Sequence, residues 1–193
     1  MGWETRAAAG ARLVLTAAGL VVAAVLGLKI LVSVLEPRAT FFPVRSTGVT
    51  PADYGLPFED LRIETGDGVS IQAWFIPAAA PPVGASAPPS PAPGHTARPL
   101  TLIAFHGNAE SIEQMLPLAR RVREAGFNLM MVEYRGYGRS GGQPSERGVY
   151  ADGEAALRTL RARGDPAPGP IVLWGRSIGA AVTIFASRPA KRR

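Results

Sequence analysis

The stretch Ile171-Val-Leu-Trp-Gly-Arg-Ser-Ile-Gly179 constrains this chain more than any other. Its first four residues form a short apolar run suited to a strand buried on both faces. The run ends abruptly at Gly175-Arg176-Ser177-Ile178-Gly179, and Ala180 to Ala186 then reads as a buried helix. A serine held between strand and helix in a G-x-S-x-G frame sits on a sharp turn, and the glycines leave room for the neighbouring strand and helix. Free N–H groups at the helix start can stabilise negative charge that develops beside it. Ser177 is therefore a candidate nucleophile. Gly138-Arg139-Ser140-Gly141-Gly142 matches the same frame, but it lies in a Gly-rich loop with no strand directly before it. That context makes Ser140 a turn residue.

At the other end of the chain, Leu13 to Leu35 is apolar except for Thr16, Lys29 and Ser33. As a helix it would extend about 34 Å, enough to cross a bilayer core with slight tilt. Lys29 lies towards the far end, where a long side chain can reach the headgroups. A cleaved signal peptide is the competing reading. No A-x-A-like site follows the run, which continues into Glu36-Pro37-Arg38, and this favours an uncleaved single-pass anchor. Basic residues flank both ends, so charge does not set its orientation. The expected organisation is a stub and anchor over 1–40, followed by one domain over 41–193.

Within that domain, Thr40 to Phe58 reads as a connector. Leu61–Thr65 and Val69–Ile76 read as two strands joined by Gly66-Asp67-Gly68, a hairpin turn signal. Ala78 to Pro99 holds seven prolines and His95, and its composition suits a surface insertion with an exposed, idle histidine. Alternation follows. Leu100–Phe105 is a strand, His106-Gly107-Asn108 a turn, and Ala109–Ala125 a helix with Ile112, Met115, Leu116, Ala119 and Val122 on one face. Pro117 should kink or restart that helix. Asn128–Glu133 is the next strand, and Ser145 can cap a helix running to about Arg163. A hairpin followed by β-α-β-α-β-turn-α implies a mainly parallel sheet of about five strands covered by helices, an α/β fold.

Composition removes some chemistries. The sequence has no cysteine, which excludes disulfides, thiolate metal sites and a cysteine nucleophile. The net charge of +6 rests mostly on scattered arginines without interleaved aromatics, a pattern that disfavours nucleic-acid binding. His95 and His106 are the two histidines available as a base.

Three motifs in order, His106-Gly-Asn-Ala-Glu-Ser111, Val132-Glu-Tyr-Arg-Gly-Tyr-Gly-Arg-Ser140 and Gly175-Arg-Ser-Ile-Gly179, resemble those of the α/β-hydrolase fold. The resemblance covers roughly residues 40 to 190. It is to the membrane-anchored, serine-aminopeptidase-like and lysophospholipase-like branch. The resemblance implies that Ser177 is the nucleophile and that the Ile178 and Asn108 backbone N–H groups are the oxyanion donors. It further implies that His106 orients the oxyanion turn, that Glu133–Ser140 is a structural loop, and that the strand order is 1-2-4-3-5. It implies no metal or organic cofactor, and an acyl substrate, either a small molecule or a lipid.

In the family pattern an acid and then a histidine follow the nucleophile, whereas residues 178–193 contain no Asp, Glu or His. Two expectations follow. One is a membrane-anchored serine hydrolase acting on carboxylic esters, thioesters or amides through an acyl-enzyme. The other is a truncated fragment or non-catalytic membrane-bound relative without its base.

Overall fold

A computed structural model describes residues 3–79, 98–164 and 169–188. The chain divides into two compact units, Met1–Thr40 and Phe41–Arg193. The first is a single helix, α1 (Trp3–Thr40), longer than the expected apolar run. Within it Leu15–Glu36 is long and apolar enough to cross a membrane, a test that a signal sequence near the amino terminus also passes. Among the described side chains, its leucines, isoleucines and valines are exposed.

The second unit is built on a five-stranded sheet in the order β1-β2-β4-β3-β5. The strands are β1 (Glu59–Glu64), β2 (Ser70–Ile76), β3 (Thr101–Phe105), β4 (Asn128–Val132) and β5 (Ile171–Gly175). β2 runs antiparallel to both β1 and β4, whereas β3 is parallel to β4 and to β5. The sheet is therefore mixed rather than mainly parallel, because the hairpin joins through its second strand. At the hairpin turn Thr65 N–H donates to the Val69 carbonyl at 2.9 Å, and Gly68 takes a φ of 80° that a side chain would oppose.

Alternating side chains fill two layers, as the two-residue period of a strand requires. Ile71, Ala73, Phe75, Ile103, Phe105, Met130 and Val132 pack on one face against α3 (Glu146–Ala162) and α4 (Ile178–Ala186). Trp74, Ile76, Ala104, Leu129 and Met131 pack on the other against Met115, Leu116 and Ala119. Each isoleucine, leucine, valine, methionine or phenylalanine among them, fully buried, contributes roughly 1.5–3 kcal/mol. Ser145 caps α3, its Oγ accepting from Gly148 N–H at 3.1 Å.

Four local expectations change. The helix expected over Ala109–Ala125 is a 3₁₀ turn, Ile112–Met115, followed by α2 (Leu116–Glu124). Pro117 lies in the first turn of α2, where its missing N–H costs nothing, so the proline marks a restart. The connector contains a 3₁₀ turn at Pro51–Tyr54. β5, expected to be buried on both faces, is largely half-exposed, and Val172 is 42% exposed because β5 is the outermost strand of this sheet. α4 is likewise only part-buried, with Ile184 63% exposed. His95, most of the Pro-rich stretch and Lys191–Arg193 lie outside the described residues.

Candidate active site

Ser177 stands at the junction of β5 and α4, as the residue immediately preceding the helix. Its backbone is strained, with φ 54° and ψ −118°. Among the described residues the other non-glycine with positive φ is Ala109, at φ 56°, in the turn after β3. Each such residue costs on the order of 1–3 kcal/mol and persists only where the surroundings enforce it. For Ser177 the enforcement is steric. A Cβ at Gly175 would fall on the Gly179 carbonyl, and a Cβ at Gly179 would strike the Phe105 carbonyl and lie 2.9 Å from the His106 carbonyl. The close approach of α4 to β5 and β3 thus requires both glycines.

The turn after β3 adjoins this junction. Arg176 N–H donates to the Phe105 carbonyl at 3.2 Å. Glu110 bridges the two loops: one carboxylate oxygen accepts from Gly107 N–H at 2.8 Å, and the other pairs with the Arg176 guanidinium at 2.5 Å. Burial pushes the Glu110 carboxyl up, but Gly107 N–H, Arg176 and His106 together hold it below the usual carboxylate range. Ile178 N–H opens α4, at the positive end of the helix dipole. Asn108 lies in the facing turn, its Oδ1 accepting from Tyr137 O–H at 2.7 Å and from Phe42 N–H at 3.0 Å.

His106 is fully buried beneath that turn. Its Nδ1 lies 2.8 Å from the Gly107 carbonyl, and its Nε2 lies 2.8 Å from Glu133 Oε1, in contact without the alignment of a hydrogen bond. Glu133 Oε2 also accepts from Ile112 N–H at 3.2 Å, and Tyr134 O–H donates to the His106 carbonyl at 3.1 Å. Burial pushes the Tyr137 phenol up to about 12. The ring is thus enclosed by the aromatic pair Tyr134 and Tyr137, with Nδ1 against the Gly107 carbonyl and Nε2 against the Glu133 carboxylate. Ser140, the second G-x-S-x-G serine, is buried, accepts from Gln72 N–H at 2.9 Å and donates to the Glu133 carbonyl at 3.0 Å. Ser177, by contrast, is exposed.

The structure therefore brings Ser177, Ile178, Asn108 and His106 into two adjoining loops, and it leaves Ser140 in a separate buried turn. The sequence reading missed Glu110, Glu133, Arg176 and Phe42 as partners of these loops. Only Glu110 had a local signal, three residues beyond Gly107; the rest are long-range contacts.

Residues 97–192 match the serine aminopeptidase S33 family. The chain is 35% identical over 170 residues to the α/β-hydrolase domain-containing protein WAV2 of Arabidopsis thaliana, covering 85% of this chain and 49% of that protein. It is 34% identical over 136 residues to protein bem46 of Schizosaccharomyces pombe, covering 70% of this chain and 41% of that one. Among solved structures, the esterase Pf2001 of Pyrococcus furiosus superposes with a TM-score of 0.57 at 25% identity, over 75% of this chain and 50% of that one. The chain thus spans about half the length of these curated relatives.

Proposed function

This chain belongs to the α/β-hydrolase superfamily, and we propose that it is a membrane-anchored serine hydrolase that cleaves carboxylic ester, thioester or amide bonds through an acyl-enzyme on Ser177. The observation that carries this reading is the strained, exposed Ser177 at the β5–α4 junction, beside the turn of His106–Asn108. In the proposed first step Ser177 Oγ attacks the carbonyl carbon while its proton passes to a base. The carbonyl oxygen becomes an oxyanion, which accepts hydrogen bonds from the Ile178 N–H and from the backbone of Asn108. Losing one such donor costs about 3 kcal/mol of barrier. Collapse expels the alcohol, thiol or amine, which takes up the proton, and water then releases the acid. The likeness to an esterase supports the ester class, and the apolar helix supports an acyl substrate met at a membrane.

A serine hydroxyl attacks poorly unless a base takes its proton. His106, buried and engaged by Glu133 and Gly107, is a scaffold for the turn rather than that base. The same observation favours a second reading, in which these 193 residues hold a nucleophile and oxyanion donors but turn over no substrate by themselves.

A fluorophosphonate probe with and without added imidazole tests the proposal. Labelling should be slow in buffer, accelerate with imidazole as an external base, and vanish in Ser177→Ala. Labelling that persists in Ser177→Ala, or fails with imidazole, contradicts the assignment. Fast labelling without imidazole that is lost in His106→Ala would make His106 the base.

A further inference from the structure

We propose that residues 41–48, which follow directly on the apolar helix, form a positioning strap that holds the 106–111 turn through Asn108 and the 3₁₀ turn next to it through Glu113. The inference rests on the reading of that turn as part of the active site.

The strap has three attachments. At its start, Phe42 N–H donates to Asn108 Oδ1 at 3.0 Å. The same oxygen accepts from Tyr137 O–H at 2.7 Å and from Ala109 N–H at 3.1 Å, so rotating the Asn108 side chain would disrupt three contacts. In the middle, Gly138 N–H donates to the Val44 carbonyl at 2.8 Å, and Arg45 and Gly138 form an isolated bridge. At its end, the Glu113 carboxylate collects Ser46 O–H at 2.5 Å, Thr47 O–H at 2.5 Å, Thr47 N–H at 3.1 and 3.0 Å, and Gly48 N–H at 3.3 Å.

Asn108 and Glu113 bracket Ala109, whose backbone is held at positive φ. Strain of this kind persists where the surroundings enforce it, and here contacts fix Asn108, directly before Ala109, and Glu113, further along the chain. Burial raises the Glu113 carboxyl, yet the donors of Ser46, Thr47 and Gly48 more than offset this and keep it below the usual carboxylate range. It is therefore charged at neutral pH, and charge-assisted hydrogen bonds of this kind are about twice as strong as neutral ones. The Phe42 ring is exposed while Phe41 is buried, so the strap is fixed by its backbone and by one core ring. The segment is thus a built part of the site and not a free linker.

The test uses the full 193-residue chain in detergent micelles, with Ser177→Ala, Glu113→Ala, Glu113→Gln and Thr47→Val variants. Amide hydrogen exchange is read by mass spectrometry in peptides covering 41–49 and 106–112, with the hairpin over 59–76 as the fold control. Imidazole-assisted fluorophosphonate labelling of Ser177 is read in parallel. Glu113→Ala should speed exchange in both peptides about tenfold, as loss of a multiply bonded carboxylate predicts, and leave the hairpin unchanged. Its labelling rate should fall by a comparable factor. Glu113→Gln, which keeps one acceptor oxygen, should recover part of both losses.

Unchanged exchange over 106–112 overturns the strap. Faster exchange there with unchanged labelling overturns the positioning role and leaves only a structural one. If Glu113→Ala also loosens the hairpin, Thr47→Val decides in its place, since it removes the strap's own O–H donor to Glu113 and keeps the side-chain shape. Failure of the Ser177 reading is distinguishable: labelling would then be equal in Ser177→Ala, and the two exchange peptides alone would decide the strap.

Discussion

Replacing Asp152 should destabilise this fold far more than replacing Asp67, although both carboxylates grip the same arginine. Arg135 is 5% exposed in the loop after β4. Its backbone N–H and its Nε each donate to Asp152 at 2.9 Å, and its Nη2 also lies 2.9 Å from that carboxylate. Asp67 accepts from the other side at 2.7 and 3.0 Å. Asp152 is fully buried, whereas the Asp67 side chain is 53% exposed. Burial pushes the Asp152 carboxyl up against the pull of Arg135, and Arg135 with Thr65 holds Asp67 well below the usual range. Asp152→Ala strands a buried guanidinium edge and a buried N–H, a change that costs about 3–5 kcal/mol. Asp67→Ala leaves the buried partner in place and removes an exposed one, costing about 1 kcal/mol or less. Urea unfolding followed by the fluorescence of buried Trp74 reads the difference. With a slope of about 1–3 kcal/mol per molar, Asp152→Ala should lower the midpoint by roughly 1 M or more. Equal losses in the two variants, or a loss below about 1 kcal/mol for Asp152→Ala, would show that the buried carboxylate does not anchor Arg135.

Two further outcomes follow from other parts of the molecule. Tyr137, raised to about 12 by burial, keeps its proton in the fold where the unfolded chain loses it near 10. Its contribution is full below pH 10 and is lost as pH rises to 12, on the order of 2–3 kcal/mol. The urea midpoint should therefore drop less over that interval in Tyr137→Phe, and an equal drop would contradict the assignment. If α1 is an uncleaved anchor, the full-length protein should resist carbonate extraction and keep its intact mass; release into the supernatant, or a mass lacking the amino-terminal segment, would contradict it.

Much of the architecture is legible because it depends on local signals. Gly66-Asp67-Gly68 marks the hairpin, Pro117 marks the restart at α2, and the apolar runs of β3 and β4 mark central strands. β5 is equally apolar yet lies at the edge, since strand composition reports hydrophobicity and not the number of neighbours. The same division holds at the site. The context of Ser177 is contained in nine consecutive residues and can be read directly. The Phe42–Asn108 contact joins residues 66 apart through a backbone N–H, so no side-chain pattern announces it. The buried His106–Glu133 contact likewise needs β3 and β4 to be neighbours first.

Two serines share the G-x-S-x-G frame, and the account rests on choosing between them. Mapping the fluorophosphonate adduct by tandem mass spectrometry, after imidazole-assisted labelling of the full chain, tests that choice most directly. The adduct should fall on the peptide containing exposed, strained Ser177, and none on Ser140, whose hydroxyl is buried between Gln72 N–H and the Glu133 carbonyl. An adduct on Ser140, with Ser177 unmodified, would contradict it.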